Sequence, residues 1–131
     1  MIAVDTSVLI AITLGEPERD RFLNAIAHAD SALVSAASVI EARIVLNRRG
    51  NEGMVAAFAD VLRFPNLMVV PVDVEHADLA DAAFRRFGKG TGHPAQLDFG
   101  DLFAYALAKS RGIPVLFKGE DFARTDIASV L

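Results

Sequence analysis

The stretch IAVDTSVLIAITL at residues 2–14 decides the fold, because a short apolar run meets an aspartate and then continues with helical spacing. Met1 to Val4 are predicted to form a buried strand that ends at Asp5. Thr6 or Ser7 is predicted to start a helix that runs to residue 14, where Gly15 stops it. The opening of the chain is therefore predicted to be a strand followed at once by a helix.

The same alternation continues along the rest of the chain. Gly50 and Asn51 are predicted to end the third helix, and the glycine-rich residues 88–97 are predicted to form a loop. Short strands that alternate with helices are typical of an α/β fold with a small, mostly parallel sheet flanked by helices. Further strands are predicted over 32–34, 67–70 and 115–117, and further helices over 17–28, 36–48, 52–64, 73–87 and 98–110.

Composition excludes several classes of function. The 131 residues predict a single domain over 1–131, and the absence of cysteine excludes disulfides and thiolate metal sites. With 17 acidic and 13 basic residues, the net charge of −4 argues against a sequence-blind basic coat for nucleic acid. No apolar run approaches the roughly 20 residues needed to span a bilayer. The N-terminus also lacks a signal peptide's basic segment, so we expect a cytoplasmic protein without membrane contact.

Acidic residues stand where a parallel sheet collects its ligands, at the carboxyl ends of strands. Asp5 follows the first predicted strand, and an ordinary helix cap is the alternative interpretation. Glu41 lies in an otherwise apolar helix, so its carboxylate is expected to be at least half buried. The alternative for Glu41 is a surface ion pair with Arg43 or Arg48.

Four more acids open the last long helix or follow the last strand. Asp98 and Asp101 are spaced by three, which also suits a pair that caps the helix reciprocally. Glu120 and Asp121 come directly after the last strand, where some acids serve only in a loop. Carboxylates brought together repel one another unless cations enter, and hard oxygen ligands select Mg²⁺ or Mn²⁺. A pair of such ions is a standard device for cleaving phosphodiester bonds.

Three motifs make the chain resemble the PIN-domain ribonucleases, and specifically VapC-type toxins of bacterial toxin–antitoxin pairs. They are VDTSVLI at 4–10, SAASVIE at 35–41, and the stretch that contains GHPAQLDFGDLFAYALA at 92–108 and LFKGEDF at 116–122. The resemblance extends over essentially the whole chain. It implies an α/β/α sandwich and Mg²⁺- or Mn²⁺-dependent cleavage of RNA by an activated water.

The resemblance also assigns roles to residues. Asp5, Glu41 and Asp101 match the first three acids of the family. Asp121 is assigned as the fourth, with Glu120 and Asp98 as substitutes, because Gly119 stands where many relatives have an acid. Asp5 and Asp101 are expected to hold one ion, and Glu41 and Asp121 to help with a second. Thr6 and Ser7 match the hydroxyls that support the first acid and a metal-associated water.

The resemblance further implies a homodimer and a VapB-type antitoxin that blocks the site with a basic side chain. The apolar faces of residues 8–14 and 44–58 are candidates for such a surface, although they suit a core equally well.

A local basic stretch is the candidate track for RNA. No acid occurs from residue 82 to residue 97, while Arg85, Arg86, Lys89 and His93 lie there, and Lys118 follows the last strand. The alternative is a solvated helix end, where cations are favoured by the helix dipole.

Two other functions share part of this pattern. A phosphoacceptor receiver domain has a similar size and alternation, and Asp73 after the third strand would accept the phosphate, with Lys118 after the last strand. A PIN-like module that binds a partner without catalysis is the second alternative.

Overall fold

The computed structural model describes residues 1–49 and 51–131, in which six helices surround a four-stranded sheet. The strands are β1 (Ile2–Val4), β2 (Ala32–Ser35), β3 (Leu67–Val70) and β4 (Val115–Leu116). The helices are α1 (Thr6–Leu14), α2 (Arg19–His28), α3 (Ala36–Arg48), α4 (Glu52–Val61), α5 (Val74–Phe87) and α6 (Asp101–Arg111).

The four strands pair in parallel in the order β3-β2-β1-β4. Ala3 in β1 lies opposite Leu33 in β2 and Val115 in β4, so β1 is central. The C-terminal residues extend this sheet locally, because the amide of Val115 donates to Ala128 and the amide of Val130 donates to Val115. The predicted α/β class with a parallel sheet is confirmed.

Alternation along the strands sends side chains to two cores, one on each face of the sheet. Val4 and Val34 pack with α1 to α4, whereas Ala3 and Leu33 pack with α5 and α6. Burial of apolar surface on both faces stabilises the resulting three-layer α/β/α sandwich. The predicted sandwich is confirmed.

The apolar face of residues 8–14 belongs to the first core, so the structure favours its interpretation as core over a partner surface. The segment 44–58 is divided: Leu46 and Phe58 are buried, whereas Ile44 and Val55 are exposed.

Most predicted boundaries hold, and the exceptions have local causes. Helix α1 ends at Gly15, whose φ of 68° is in the left-handed region that glycine favours. Helix α2 begins after a turn in which the Arg19 amide donates to the Glu16 carbonyl, so Pro17 precedes the helix. Helix α4 ends three residues early, at Val61. The predicted stop of α3 at residue 50 lies outside the described residues.

Two features near the acids differ from the sequence prediction. Helix α6 begins at Asp101 instead of Asp98, because residues 98–100 form its entry turn. A 3₁₀ turn over Phe122–Arg124 was not predicted. Within the residues described, no helix combines the length and apolar character needed to cross a membrane.

Candidate active site

Asp5 stands directly after β1 with only 5% of its surface exposed. Its Oδ2 atom accepts hydrogen bonds from the Ser7 amide at 3.0 Å and from the Ser7 hydroxyl at 2.7 Å, so Asp5 is the N-cap of α1. Burial, together with the nearby charge of Glu41, raises the pKa of Asp5 to about 6 despite the bonds from Ser7. Asp5 is therefore a helix cap and also a buried acid beside a second carboxylate.

Ser7 connects Asp5 to the last strand. While the Ser7 hydroxyl donates to Asp5, its oxygen accepts a hydrogen bond from the Lys118 amide at 3.0 Å, across 111 residues of sequence. The Thr6 hydroxyl instead donates to the carbonyl of Ser38 at 3.4 Å and so joins α1 to α3. Sequence reasoning missed the role of the Lys118 amide, because no local pattern reports a contact between residues so far apart.

Glu41 is half buried on α3, and its carboxylate lies against the backbone of Gly100. A Cβ atom on Gly100 would overlap that carboxylate, so only glycine leaves room for it. In the described part of the chain, Glu41 makes no ion pair with Arg43 or Arg48. The glycine directly before Asp101 indicates in the sequence that something approaches the backbone closely there. The sequence does not indicate that Glu41 is the group that does so.

Asp98 and Asp101 bond to each other reciprocally at the start of α6. The Asp98 amide donates to Oδ2 of Asp101, and the Asp101 amide donates to Oδ1 of Asp98, each at 3.0 Å. Burial raises the pKa of Asp101 to about 8, and the charges of Asp5, Asp98 and Asp121 contribute, while the bond from the Asp98 amide opposes the rise. The capping arrangement is therefore present, and it orients an acid that interacts electrostatically with three others.

Asp121 and Glu120 approach this group from the loop after β4. Partial burial raises the pKa of Asp121, with the charge of Asp98 as the second cause. Glu120 and Asp121 line a cleft together with Asp98. The structure thus brings Asp121 and Asp101 into one electrostatic environment.

The acids suit a hydrated divalent cation better than a closed metal cage. Among the described residues, no three acidic or histidine side chains are close enough to hold an ion by themselves. Mg²⁺ usually keeps several waters and takes only one or two protein carboxylates, which Asp5 and Asp101 could supply. Burial is the main cause of the raised pKa values of these two acids, and neighbouring carboxylates add to it, so a cation bound between them would stabilise their charged forms. The donor set therefore fits an oxygen-preferring divalent metal.

Arg85 and Arg86 are both engaged in ion pairs. Arg85 pairs with Asp81 at 2.9 Å, one turn earlier on α5. Arg86 pairs with Asp126 at 3.4 Å and lies over the ring of Phe87. Neither guanidinium is directed freely toward the acids.

Lys118 bridges two acids of the α1–α2 connection. Its Nζ atom lies 2.7 Å from Glu18 and 3.2 Å from Glu16. Hydrogen bonds from Lys118, with its charge, lower the pKa of Glu18 although burial opposes the change. The Lys118 side chain therefore fixes the loop after β4 to the α1–α2 turn.

Lys89 and His93 lie in the loop over 88–97. The Lys89 amide donates to the Leu97 carbonyl at 2.8 Å, which closes the base of the loop. Nδ1 of His93 accepts a hydrogen bond from the Ala95 amide at 3.0 Å, and the imidazole packs edge-on against Phe87. His93 thus shapes the loop, whereas Lys89 projects into the cleft shared with Asp98.

Asp73, the acceptor in the receiver interpretation, caps α5 instead. Its Oδ1 atom accepts from the His76 amide at 2.9 Å, and the imidazole of His76 contacts Ser110 near the end of α6. Since a helix rises about 1.5 Å per residue, Asp73 lies at the opposite end of α6 from Asp101. No observed contact supports a receiver site.

Comparisons with known proteins give a consistent result. The family model described as PIN domain matches residues 2–128. A VapC ribonuclease of Mycobacterium bovis is 41% identical, with 98% of this chain and 96% of that protein covered. Ribonuclease VapC of Mycolicibacterium smegmatis is 42% identical, with 98% and 99% covered.

Solved structures agree on the fold. VapC20 of Mycobacterium tuberculosis, described as a sarcin–ricin loop cleaving toxin, has a TM-score of 0.77 at 23% identity, with 98% of this chain and 97% of that chain covered. VapBC2 of Rickettsia felis, bound to a promoter DNA fragment, has a TM-score of 0.77 at 13% identity, with 98% and 96% covered. FitAcB of Neisseria gonorrhoeae has a TM-score of 0.69 at 22% identity, with 98% and 96% covered.

Proposed function

The chain belongs to the PIN-domain family, and from that membership we propose that it is a VapC-type endoribonuclease, the toxin of a toxin–antitoxin pair. One structural observation carries the proposal: Asp5, Glu41 and Asp101 come from three distant segments and meet at one edge of the sheet. The charge of Asp5 acts on Asp101, the charge of Glu41 acts on Asp5, and the Glu41 carboxylate lies against Gly100, directly before Asp101. Relatives about 40% identical over nearly the whole chain are named ribonucleases. We expect the protein to act on RNA in the cytoplasm.

Mg²⁺ or Mn²⁺ is the proposed cofactor. Asp5 and Asp101 would hold one ion, directly or through water, and Glu41 and Asp121 would help to hold a second ion or orient waters. Glu120 and Asp98 are the substitutes for the fourth acid. When bound, such an ion stabilises charge on the phosphate and lowers the pKa of a coordinated water.

The chain's own contribution is to hold these carboxylates in place before RNA arrives. Ser7 holds Oδ2 of Asp5 with its amide and its hydroxyl. Asp98 similarly holds Oδ2 of Asp101. Gly100 lets the carboxylate of Glu41 approach the backbone beside Asp101. Groups that are fixed in advance need not reorganise during the reaction, which is the main source of electrostatic catalysis.

RNA is negatively charged, and so are the protein and the edge of the sheet that carries the acids. Binding of RNA there therefore requires nearby basic residues. Lys89 is the predicted RNA contact that lines the cleft together with Asp98 and Asp121. Arg85, Arg86 and Lys118 would contact RNA only by exchanging their present carboxylate partners, so we expect smaller contributions from them. His93 would act mainly through the shape of its loop.

A VapB-type antitoxin is the proposed partner, and a homodimer is the proposed assembly. A cleft between α3 and the start of α6 suits the antitoxin, because exposed Ile40, Ile44 and Phe99 line it together with Glu41. An antitoxin segment with apolar side chains and one basic group would match both the apolar wall and the carboxylate. Related structures of this fold are described as toxin–antitoxin complexes.

The test is cleavage of total cellular RNA by the purified protein, with Mg²⁺, with Mn²⁺ and with EDTA, followed by sequencing of the fragment ends. We expect discrete cuts in either metal and none in EDTA. Undiminished cleavage in EDTA would contradict the metal assignment. Absence of cleavage under every condition would contradict the nuclease function itself.

A further inference from the structure

A cleft of about 390 Å³ opens beside the acids, between the loop over 88–97 and the segment 119–124. Asp98 and Asp121 form its acidic wall, and both also influence Asp101 electrostatically. Lys89 and Arg124 line the same cleft from its two sides. The cleft is therefore continuous with the candidate active site and carries charges of both signs.

Lys89 and Arg124 differ from the other cations near the acids. Arg85, Arg86 and Lys118 are each paired with a carboxylate at 2.7–3.4 Å. In the described residues, neither Lys89 nor Arg124 makes an ion pair, although acids line the same cleft. Two exposed cations that line one cleft without carboxylate partners leave a position for an external anion.

The loop that carries Lys89 is held in place by contacts within the chain. Gly88 is needed at its base, because a Cβ atom there would overlap the Phe84 carbonyl. The Thr91 hydroxyl donates to the Gly88 carbonyl at 2.6 Å, and the Lys89 amide donates to Leu97 at 2.8 Å.

Gln96, on the cleft wall, has a φ of 50°, a left-handed conformation that is unfavourable for a residue with a Cβ atom. Such strain persists only where the surroundings determine the backbone. The Lys89 side of the cleft is therefore preorganised.

We propose that Lys89 and Arg124 form a phosphate subsite, which binds a backbone phosphate of single-stranded RNA next to the phosphate that is cut. This inference rests on the proposed ribonuclease function and names a contact that the acids cannot supply. Arg124 offers a planar fork for two phosphate oxygens, whereas Lys89 offers a compact charge. The two cations also offset the repulsion between the strand and the Asp98–Asp121 wall.

The test measures binding separately from cleavage. Binding of a fluorescein-labelled single-stranded RNA of mixed sequence is followed by anisotropy in EDTA, over a series of salt concentrations. Lys89→Ala and Arg124→Ala are each expected to weaken binding about tenfold and to lower the slope of log affinity against log salt by about 0.7, the value for one phosphate contact. Arg124→Lys should lose less, because it keeps the charge. Arg63→Ala is the matched control, since Arg63 is an exposed, ion-paired arginine that precedes β3 at the other edge of the sheet.

Cleavage kinetics with Mg²⁺ provide the second readout. Each alanine variant should raise KM about tenfold while kcat stays within about twofold, because the subsite holds the strand and not the reacting atoms. Parental affinity, salt slope and KM in both alanine variants would overturn the subsite. If the variants lose RNA affinity while the parent cuts no RNA in any metal, the subsite stands and the nuclease function fails.

Discussion

The two ends of α6 bring acids into opposite surroundings. At its start, Asp101 lies near Asp5, Asp98 and Asp121, and its pKa rises to about 8. Toward its end, Asp126 accepts hydrogen bonds from Tyr105 at 2.6 Å and Lys109 at 2.7 Å. Those bonds lower the pKa of Asp126 although burial opposes them.

The difference separates two uses of a carboxylate. The negative charge of Asp126 is compensated by hydrogen bonds from neighbouring side chains. Asp126 therefore stabilises the fold, and its carboxylate oxygens are already occupied. Asp101 accepts no bond from a cationic side chain in the described residues, and burial disfavours its charged form, which an external cation would stabilise. Neutralising each acid in turn should therefore give opposite results.

Removing the charge of either proposed metal ligand, Asp101 at the start of α6 or Asp5 before α1, should have the largest effect. Asp101→Asn and Asp5→Asn are each expected to lower the RNA cleavage rate by about 100-fold or more, since each removes a proposed metal ligand. Initial rates with Mg²⁺ and circular dichroism melting measure the two properties. The melting temperature of the metal-free variants should not fall, because each loses a destabilising charge. Parental cleavage by either variant would show that the acid is not a ligand.

A methyl group at Gly100 should disturb the same end without changing any charge. Gly100→Ala places a Cβ atom on the Glu41 carboxylate, so cleavage is expected to fall about tenfold or more as Glu41 moves away. Gly53→Ala on α4 is the matched control, because its Cβ atom would meet only the Asn51 side-chain oxygen. Equal RNA cleavage by Gly100→Ala and Gly53→Ala would show that Glu41 is not part of the active site.

The pH dependence of stability should distinguish the acids directly. Unfolded aspartates titrate near pH 4, whereas the folded values are about 6 for Asp5 and about 8 for Asp101. The folded chain therefore binds more protons between these limits, and its stability without metal should fall as the pH rises from about 4 to 8. Thermal melting in EDTA should show a fall of several degrees, which Mg²⁺ reverses. A flat profile, or the same slope in Asp101→Asn, would contradict the raised pKa.

Asp126→Asn should give the smallest effect, and it should lower stability instead of RNA cleavage. The loss of bonds to Lys109 and Tyr105 is expected to lower the free energy of unfolding by about 1–2 kcal/mol while RNA cleavage by the folded protein stays near parental. Because the pKa of Asp126 is lowered, its contribution is present above about pH 4 and is lost as the pH falls further. Urea unfolding at pH 7 and pH 3 measures this change. A cleavage defect larger than the loss of stability would place Asp126 in the site.

Local sequence patterns predicted local structure well. The cap of α1 at Asp5 and the reciprocal pair of Asp98 and Asp101 both depend on residues two or three positions apart. Because such contacts join residues that are close in sequence, the spacing of residue types predicts them. The order of strands and helices followed from the same kind of pattern.

Contacts between segments that are distant in sequence could not be predicted from local patterns. The bridge from Lys118 to Glu16 and Glu18, and the pair of Arg86 with Asp126, join segments that are distant in sequence. A basic residue near a predicted site therefore looked like an RNA contact until its partner was known. The fit of Glu41 against Gly100 was hidden for the same reason.

The bond from the Lys118 amide to Ser7 also has a consequence for biosynthesis. Ser7 supports Asp5, but the Lys118 amide that donates to Ser7 is synthesised 111 residues after Ser7. A nascent chain still lacking β4 carries the acid without the geometry that completes it. Asp5 therefore acquires its full set of supporting contacts only after Lys118 has been synthesised and β4 has joined the sheet.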